Sequence, residues 1–303
     1  MLLAPFLFPV SAMTLTRQSG CKINLLLNVL RRREDGFHEL ETLMQPVGLF
    51  DELTFSTEGA DHLKFACSDA TLPTGDGNLV VRAARAFFAA AGIAEQASVY
   101  LEKRIPAEAG LGGGSGNAAA TLLGLNELFD FPLTSDTLDG LARELGSDVP
   151  FFLEDRPALA VGRGEQVERL DPFPALEGKW LFLARPGFGV STPFAYEALK
   201  DHPEALNGRP GRARELARAL GQENLAAAAN QFYNSLEAPV LRKFPVLSLF
   251  QEFLLENGAL VALMSGSGST TFAIAGAGDI AESWREKFRS KFGASNWTAA
   301  LPL

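Results

Sequence analysis

Five of the seven residues from Gly110 to Gly116 are glycine, in the run Gly-Leu-Gly-Gly-Gly-Ser-Gly, and a helix-forming stretch from Asn117 to Phe129 follows at once. Glycine lets a backbone approach a ligand closely, and the first amides of a helix point outward without intrahelical partners. Such a loop attracts anions, and the helix dipole adds to that attraction. The two commonest phosphate loops do not fit. A Walker A loop closes on Gly-Lys-Ser/Thr, whereas Asn117 follows Gly116 here. A dinucleotide fingerprint counted from Gly110 and Gly112 requires glycine where Ser115 stands. A plain turn gives no reason to order so many glycines against their conformational entropy.

Phosphoryl transfer to an alcohol needs little besides positioning and neutralisation of charge, so a minimal site holds a phosphate cradle, a cation and a carboxylate. Lys22 and Asn24 stand at i and i+2 of an apolar strand and share one face, while Ile23 and Leu25 take the other. Asp148, in Gly146-Ser147-Asp148-Val149-Pro150, lies between a predicted helix and an apolar run. Taken singly, Lys22 reads as a solvated strand end and Asp148 as an Asx-type turn cap. Together with the glycine loop they make the three parts of a transferase site.

The elements that must hold these residues are mixed α and β. Ile23 to Val29, Glu39 to Val47 and Asp51 to Ser56 read as separate strands. Asn78 to Ala91 reads as a helix with Asn78 as its cap and Leu79, Ala83, Phe87 and Ala91 as its buried stripe. Ala97 to Lys103 is a strand leading through Pro106 into the glycines. Leu138 to Leu145 is a helix, Val149 to Leu153 an apolar strand, and Ala158 to Val161 with Gln166 to Leu170 a hairpin. Asp171-Pro172-Phe173-Pro174 is the best linker, because proline removes a backbone donor and interrupts either element. This divides the chain into domains 14–171 and 172–303. Strand Lys179 to Ala184 and several helices follow, and a second glycine loop, Ser265-Gly266-Ser267-Gly268-Ser269, joins strand Ala259 to Met264 to Thr270 to Ala275.

At 303 residues with 47% hydrophobic and 21% charged residues, the composition is that of a globular chain with a packed core. A net charge of -9 argues against a nucleic-acid partner but leaves a single nucleotide open, since backbone amides hold polyphosphates without net positive charge. Two cysteines and three scattered histidines support neither a disulfide framework nor a zinc site, which suits a reducing, cytoplasmic setting. The apolar start, residues 1–13, lacks a basic n-region and is shorter than the roughly 20 residues a membrane span takes. It reads as a frayed extension, or as upstream of a true start at Met13.

In order along the chain, Lys22 to Leu25, Asp35 to Leu40, Asn78 to Ala83, Pro106 to Ala119, Gly146 to Pro150 and Ser265 to Phe272 resemble the GHMP kinase superfamily. Lys22-Ile23-Asn24 followed by Gly36-Phe37-His38-Glu39-Leu40 is similar to its branch acting on a cytidine-diphosphate derivative of methylerythritol, and unlike the mevalonate, homoserine and galactose kinases. The resemblance implies a two-lobed α+β GHMP kinase fold, with a mixed-sheet N-terminal lobe, a ferredoxin-like C-terminal lobe and a cleft between them. It implies ATP as co-substrate with Mg²⁺, and phosphorylation of that alcohol's 2-hydroxyl, with neither nucleic acid nor membrane as partner. Asp148 would take the hydroxyl proton and Lys22 would hold that carboxylate. Pro106, Ala107, Glu108, Ala109, Gly110, Leu111, Gly112, Gly113, Gly114, Ser115 and Gly116 would wrap the ATP phosphates, with Asn78 and Lys103 near the nucleoside. His38 would read the cytosine between Phe37 and Tyr196, and Asn24 and Thr192 would fix the rest of the substrate. The chain departs from the family pattern at Gly20-Cys21, where Pro-Ala is usual, at Phe37 in place of tyrosine, and at Gly116 in place of a second serine that can approach the metal, so no protein metal ligand is expected. Another small-alcohol kinase of the superfamily, or a nucleotide-binding sensor without catalysis, are the competing readings; the presence of both Lys22 and Asp148 counts against the sensor.

Overall fold

The computed structural model describes residues 13–206 and 208–303, so all of the apolar start except Met13 lies outside the described residues. The backbone opens with a long antiparallel ribbon, β1 (Thr14–Arg32) and β2 (His38–Ser56), each of 19 residues. The predicted strands Glu39 to Val47 and Asp51 to Ser56 are therefore one strand. Gly48 does not end it, because both partners continue pairing around a shifted register between Ser19 and Cys21.

Next come β3 (Lys64–Cys67), α1 (Leu79–Ala91), β4 (Ser98–Glu102), α2 (Gly113–Leu128) and α3 (Ser135–Leu145). The hairpin β5 (Ala158–Gly162) and β6 (Gln166–Arg169) forms as predicted. Asn78 does cap α1, its side chain accepting from the Val80 amide. The buried face of α1 is wider than the stripe read from spacing: Val80, Val81, Ala84 and Phe88 join Ala83 and Phe87, while Leu79 and Ala91 are half-buried. Two further readings need correction. Helix α2 begins inside the glycine run at Gly113 rather than at Asn117. Val149 to Leu153 is no strand; Pro150 opens a single 3-10 turn, its ring fixing φ near the helical value and removing a ladder donor.

The second half supplies β7 (Trp180–Arg185), α4 (Thr192–Ala198), α5 (Arg212–Leu220), α6 (Leu225–Ala228), β8 (Tyr233–Asn234), α7 (Glu237–Lys243), α8 (Val246–Glu256), β9 (Ala262–Met264), β10 (Thr271–Ala275), α9 (Gly278–Phe292) and β11 (Trp297–Pro302). The first sheet is mixed and seven-stranded, with the path β3-β4-β2-β1-β8 and β5 and β6 branching from β2. The second is an antiparallel sheet in the order β11-β7-β10-β9. Strand alternation divides the faces of β7. Phe182 and Ala184 join a core with Phe250 of α8 and Phe288 of α9, whereas Leu181 and Leu183 join Leu26, Leu43 and Leu216 in a core that both sheets share. The short β8 runs parallel to β1, so a strand from beyond the proline-rich segment completes the first sheet.

Candidate active site

Strand β1 buries Cys21, Ile23 and Leu25 on one side and presents Lys22 and Asn24 on the other, all of them nearly inaccessible. Register shifts between Ser19 and Cys21 and between Asn24 and Leu26 bracket the polar pair. Such bulges sharpen the twist and re-aim side chains. The Lys22 ammonium donates to Asn24 Oδ1 at 2.6 Å and to the Gly110 carbonyl at 3.2 Å, and lies 3.5 Å from Asp148 Oδ2. Asn24 is fixed in turn: its amide nitrogen donates to Thr42 Oγ1 at 2.8 Å, and that hydroxyl donates to the Leu26 carbonyl at 2.7 Å. Asp148 follows the end of α3 and keeps a side-chain exposure of 37%, against 4% for Lys22. A shielded cation thus meets a carboxylate that a ligand can reach.

The carbonyls of the first glycine loop are held by the protein. Ala107 O accepts from Arg185 Nη2 at 2.9 Å, Ala109 O from the Thr270 amide at 3.2 Å, and Gly110 O also from Ser265 Oγ at 2.9 Å. Leu111 O accepts from the Lys22 amide and Gly112 O from the Gly116 amide, both at 2.9 Å. In a planar trans peptide the N-H points opposite to the C=O, so anchoring this row of carbonyls aims amides at the open side. Gly110 has φ +74, and a methyl group there would overlap the Ser265 carbonyl oxygen of the second glycine loop. Glycine is required for both reasons.

The loop, the ion pair and the aromatic residues border one cleft of about 1120 Å³. Lys22, Asn24, Phe37, His38, Asp148, Thr192 and Tyr196 line it together with every residue from Pro106 to Ser115. At its far end the His38 ring lies 5.2 Å from that of Tyr196, tilted by 36°. Phe37 is exposed, with the Arg163 guanidinium 4.6 Å above its ring. Burial, and then the charge of Arg32, push the His38 imidazole below its ordinary value, so it is neutral at pH 7. Burial, followed by the charge of Asp148, pushes the Tyr196 hydroxyl upward.

Three predicted residues lie off the cleft wall. Asn78 spends its side chain on capping α1 and on the Pro73 carbonyl, which it reaches at 2.9 Å. Lys103 gives its ammonium to Asp51. Gly116 is pressed against β1, where a side chain would overlap the Gly20 carbonyl oxygen, so nothing larger than hydrogen fits there. Among the described residues no three His, Cys, Asp or Glu side chains gather as a cation site. Sequence reasoning missed Arg163, which reads alone as a surface charge in a hairpin turn, and Arg185, a strand-end arginine whose partner is 78 residues away. It also missed Asp51, which reads only as the first residue of the strand Asp51 to Ser56.

A mixed sheet and an antiparallel sheet around a glycine-cradled cleft are the architecture of the GHMP kinases. Residues 78–156 match the family model for the GHMP kinase N-terminal domain, and residues 210–290 match the model for the C-terminal domain. Among curated proteins, the chain is 44% identical to a 4-diphosphocytidyl-2-C-methyl-D-erythritol kinase of Pelotomaculum thermopropionicum, covering 86% of this chain and 89% of that one. It is 39% identical to the protein of the same name from Syntrophotalea carbinolica, covering 92% and 94% of the two chains. Among solved structures, a 4-(cytidine 5'-diphospho)-2C-methyl-D-erythritol kinase superposes with a TM-score of 0.76 at 37% identity, over 95% of this chain and all of that one. A homoserine kinase from Cytophaga hutchinsonii shares the fold, with a TM-score of 0.73 at 17% identity. The chain belongs to the 4-diphosphocytidyl-2-C-methyl-D-erythritol kinase family.

Proposed function

We infer that this chain is an ATP-dependent kinase that phosphorylates the 2-hydroxyl of 4-diphosphocytidyl-2-C-methyl-D-erythritol, a step of the methylerythritol phosphate route to isoprenoids. The observation that carries the reading is the contact of the Lys22 ammonium with both the Asp148 carboxylate and the first glycine loop. Asp148 accepts the hydrogen bond of the attacking hydroxyl and takes its proton. The freed oxygen bonds to the γ-phosphorus, the bond from that phosphorus to the β,γ-bridging oxygen breaks, and ADP leaves. Lys22 orients the carboxylate and offsets negative charge on the transferring group, while the amides from Ala107 to Ser115 hold the phosphates.

At the other end, a neutral His38 offers one ring nitrogen as donor and one as acceptor, which suits the mixed edge of cytosine. Phe37 and Tyr196 supply ring faces for the base, and Arg163 adds a cation above Phe37. Asn24, beside Lys22, and Thr192 also line the cleft and are read as fixing the rest of the substrate. Residues 14–171 bring the cradle and the ion pair, and residues 172–303 bring Thr192, Tyr196 and the second glycine loop. Mg²⁺ would travel with ATP, held mostly by phosphate oxygens and water, with Ser115 and Asp148 as cleft-lining oxygens that could complete its shell, and it would neutralise phosphate charge. A coupled ADP-release assay tests the reading. Turnover is expected with the diphosphocytidyl alcohol and not with mevalonate or homoserine, and preference for either of those would remove the substrate assignment.

A further inference from the structure

We propose that Asp51 is the positioning residue that sets the nucleotide cradle, acting on both flanks of the first glycine loop without touching the ligand. The inference rests on the nucleotide reading of that loop given above.

Asp51 lies within β2, is wholly buried and is absent from the cleft wall. A buried carboxylate is costly unless its lone pairs are satisfied, and an ionised one offers about four acceptor sites. Here the donors come from two places. Oδ1 accepts from the Arg104 amide at 2.7 Å and the Ile105 amide at 2.8 Å, and Oδ2 accepts from the Lys103 ammonium and from Asn117 Nδ2, the latter at 2.9 Å. Residues 103–105 lead directly into the loop, and Asn117 is the first residue after it. One side chain therefore ties the two ends of the cradle to a single point. The second Asn117 contact, to Ser19 Oγ at 2.9 Å, extends the tie to β1 three residues before Lys22. The Lys103 ammonium is held beneath the first turn of α2, 3.1 Å from where a Gly113 side chain would start.

The groups that meet the alcohol are fixed by other means. Asn24 is held by Thr42, and the Arg33 amide closes the turn before β2 on the Phe37 carbonyl at 2.8 Å. Loss of Asp51 should therefore act selectively on the nucleotide. In Asp51→Asn the new amide nitrogen confronts the donors of Lys103 and Asn117. In the double variant Asp51→Asn with Asn117→Asp the carboxylate moves across the same contact, so the donor–acceptor pair between positions 51 and 117 returns while the Lys103 ammonium still faces an amide nitrogen.

The experiment measures ADP affinity by calorimetry, together with KM for ATP and for the alcohol, on the full chain. Asp51→Asn is expected to weaken ADP binding and raise the KM for ATP at least about tenfold, with the alcohol's KM within about threefold. The double variant is expected to recover part of that loss. Asn117→Ala, which frees only one flank, should weaken ADP by about threefold or more and keeps the test decisive if Asp51→Asn does not fold. ADP affinity unchanged in a folded variant, equal rises in both KM values, or no recovery in the double variant would each overturn the inference. A wild-type chain that does not bind ADP would overturn the nucleotide reading itself, which the variants cannot mimic.

Discussion

The two glycine loops share a composition and differ in what surrounds them. Ala107 to Ser115 forms a wall of the cleft, with its carbonyls engaged by Arg185, Thr270, Lys22 and Ser265. Ser265 to Ser269, between β9 and β10, is buried by the protein throughout and meets the same cleft only at Gly266 and Ser267. Asn234 Nδ2 holds the second loop by the Met264 and Gly266 carbonyls at 2.7 and 2.8 Å, and Glu237 holds it by the Met264 amide at 2.8 Å. Its serines face outward to the working parts: Ser265 Oγ reaches Gly110, Ser267 Oγ reaches Thr192 at 2.8 Å, and Ser269 Oγ donates to the Phe188 carbonyl at 2.6 Å. In the first loop the absence of side chains exposes amides to a ligand; in the second it lets two backbones touch. Glycine enrichment in a sequence thus marks close approach and leaves open what is approached.

The strongest way to sharpen this contrast is to remove the chemistry and leave both loops intact. Lys22→Met and Asp148→Asn are each expected to lower kcat by at least about 10²-fold with ADP affinity nearly unchanged, measured by steady-state kinetics and calorimetry. Near-normal turnover in either would take that residue out of the mechanism. Gly110→Ala strikes where the loops meet. Its methyl overlaps the Ser265 carbonyl and its φ is unfavourable for alanine, so a loss of about 2–4 kcal/mol in unfolding free energy is expected along with weaker ATP binding. Wild-type stability would show that the loops are free to separate.

The second loop carries its own pH response. Burial is the chief cause that raises the Glu237 carboxyl from 4.5 to about 7, against the opposing hydrogen bonds from Met264 and Gln251. A folded value above the unfolded one means that the native state binds more protons between the two. Its stabilising effect is fully present below pH 4.5 and fades as pH rises through about 7. Between pH 6 and pH 8 the melting temperature should fall by an amount equivalent to on the order of 1 kcal/mol, and Glu237→Gln should flatten that slope. An unchanged slope in the variant would assign it elsewhere. The smallest effect belongs to Gly114→Ala. The added methyl meets only Leu79 at 3.7 Å, so stability should hold or rise by up to about 1 kcal/mol from helix propensity, while ATP KM rises by about threefold at most. Marked destabilisation there would break the distinction between an open loop and a packed one.

Local chemistry was legible in the sequence. The first loop, the Asn78 cap, the shared face of Lys22 and Asn24, and the β5–β6 hairpin each rest on neighbours within a few residues. Contacts closed across long stretches of chain were not. Asp51 meets Asn117 across 66 positions and Arg185 meets Ala107 across 78, and neither residue has a local pattern that separates it from a solvated charge. The aromatic end of the cleft came from the family motif, while Arg163 above Phe37 required the hairpin turn to be seen in space. The 3-10 turn at Pro150 shows the opposite limit. An apolar run of strand length was overruled by one proline ring.

The two-residue pairing of β8 with β1, joined by Ser235 donating to the Leu27 carbonyl at 2.9 Å, has a mechanical consequence. It fastens the later half of the chain to the strand that bears Lys22, and the apolar core beneath is common to both sheets. Opening the molecule like a pair of jaws would tear a hydrogen-bonded ladder and wet that core together. The cleft stays open at its mouth, where side chains such as Phe37 already stand in water, while the strands beneath it are tied across both halves.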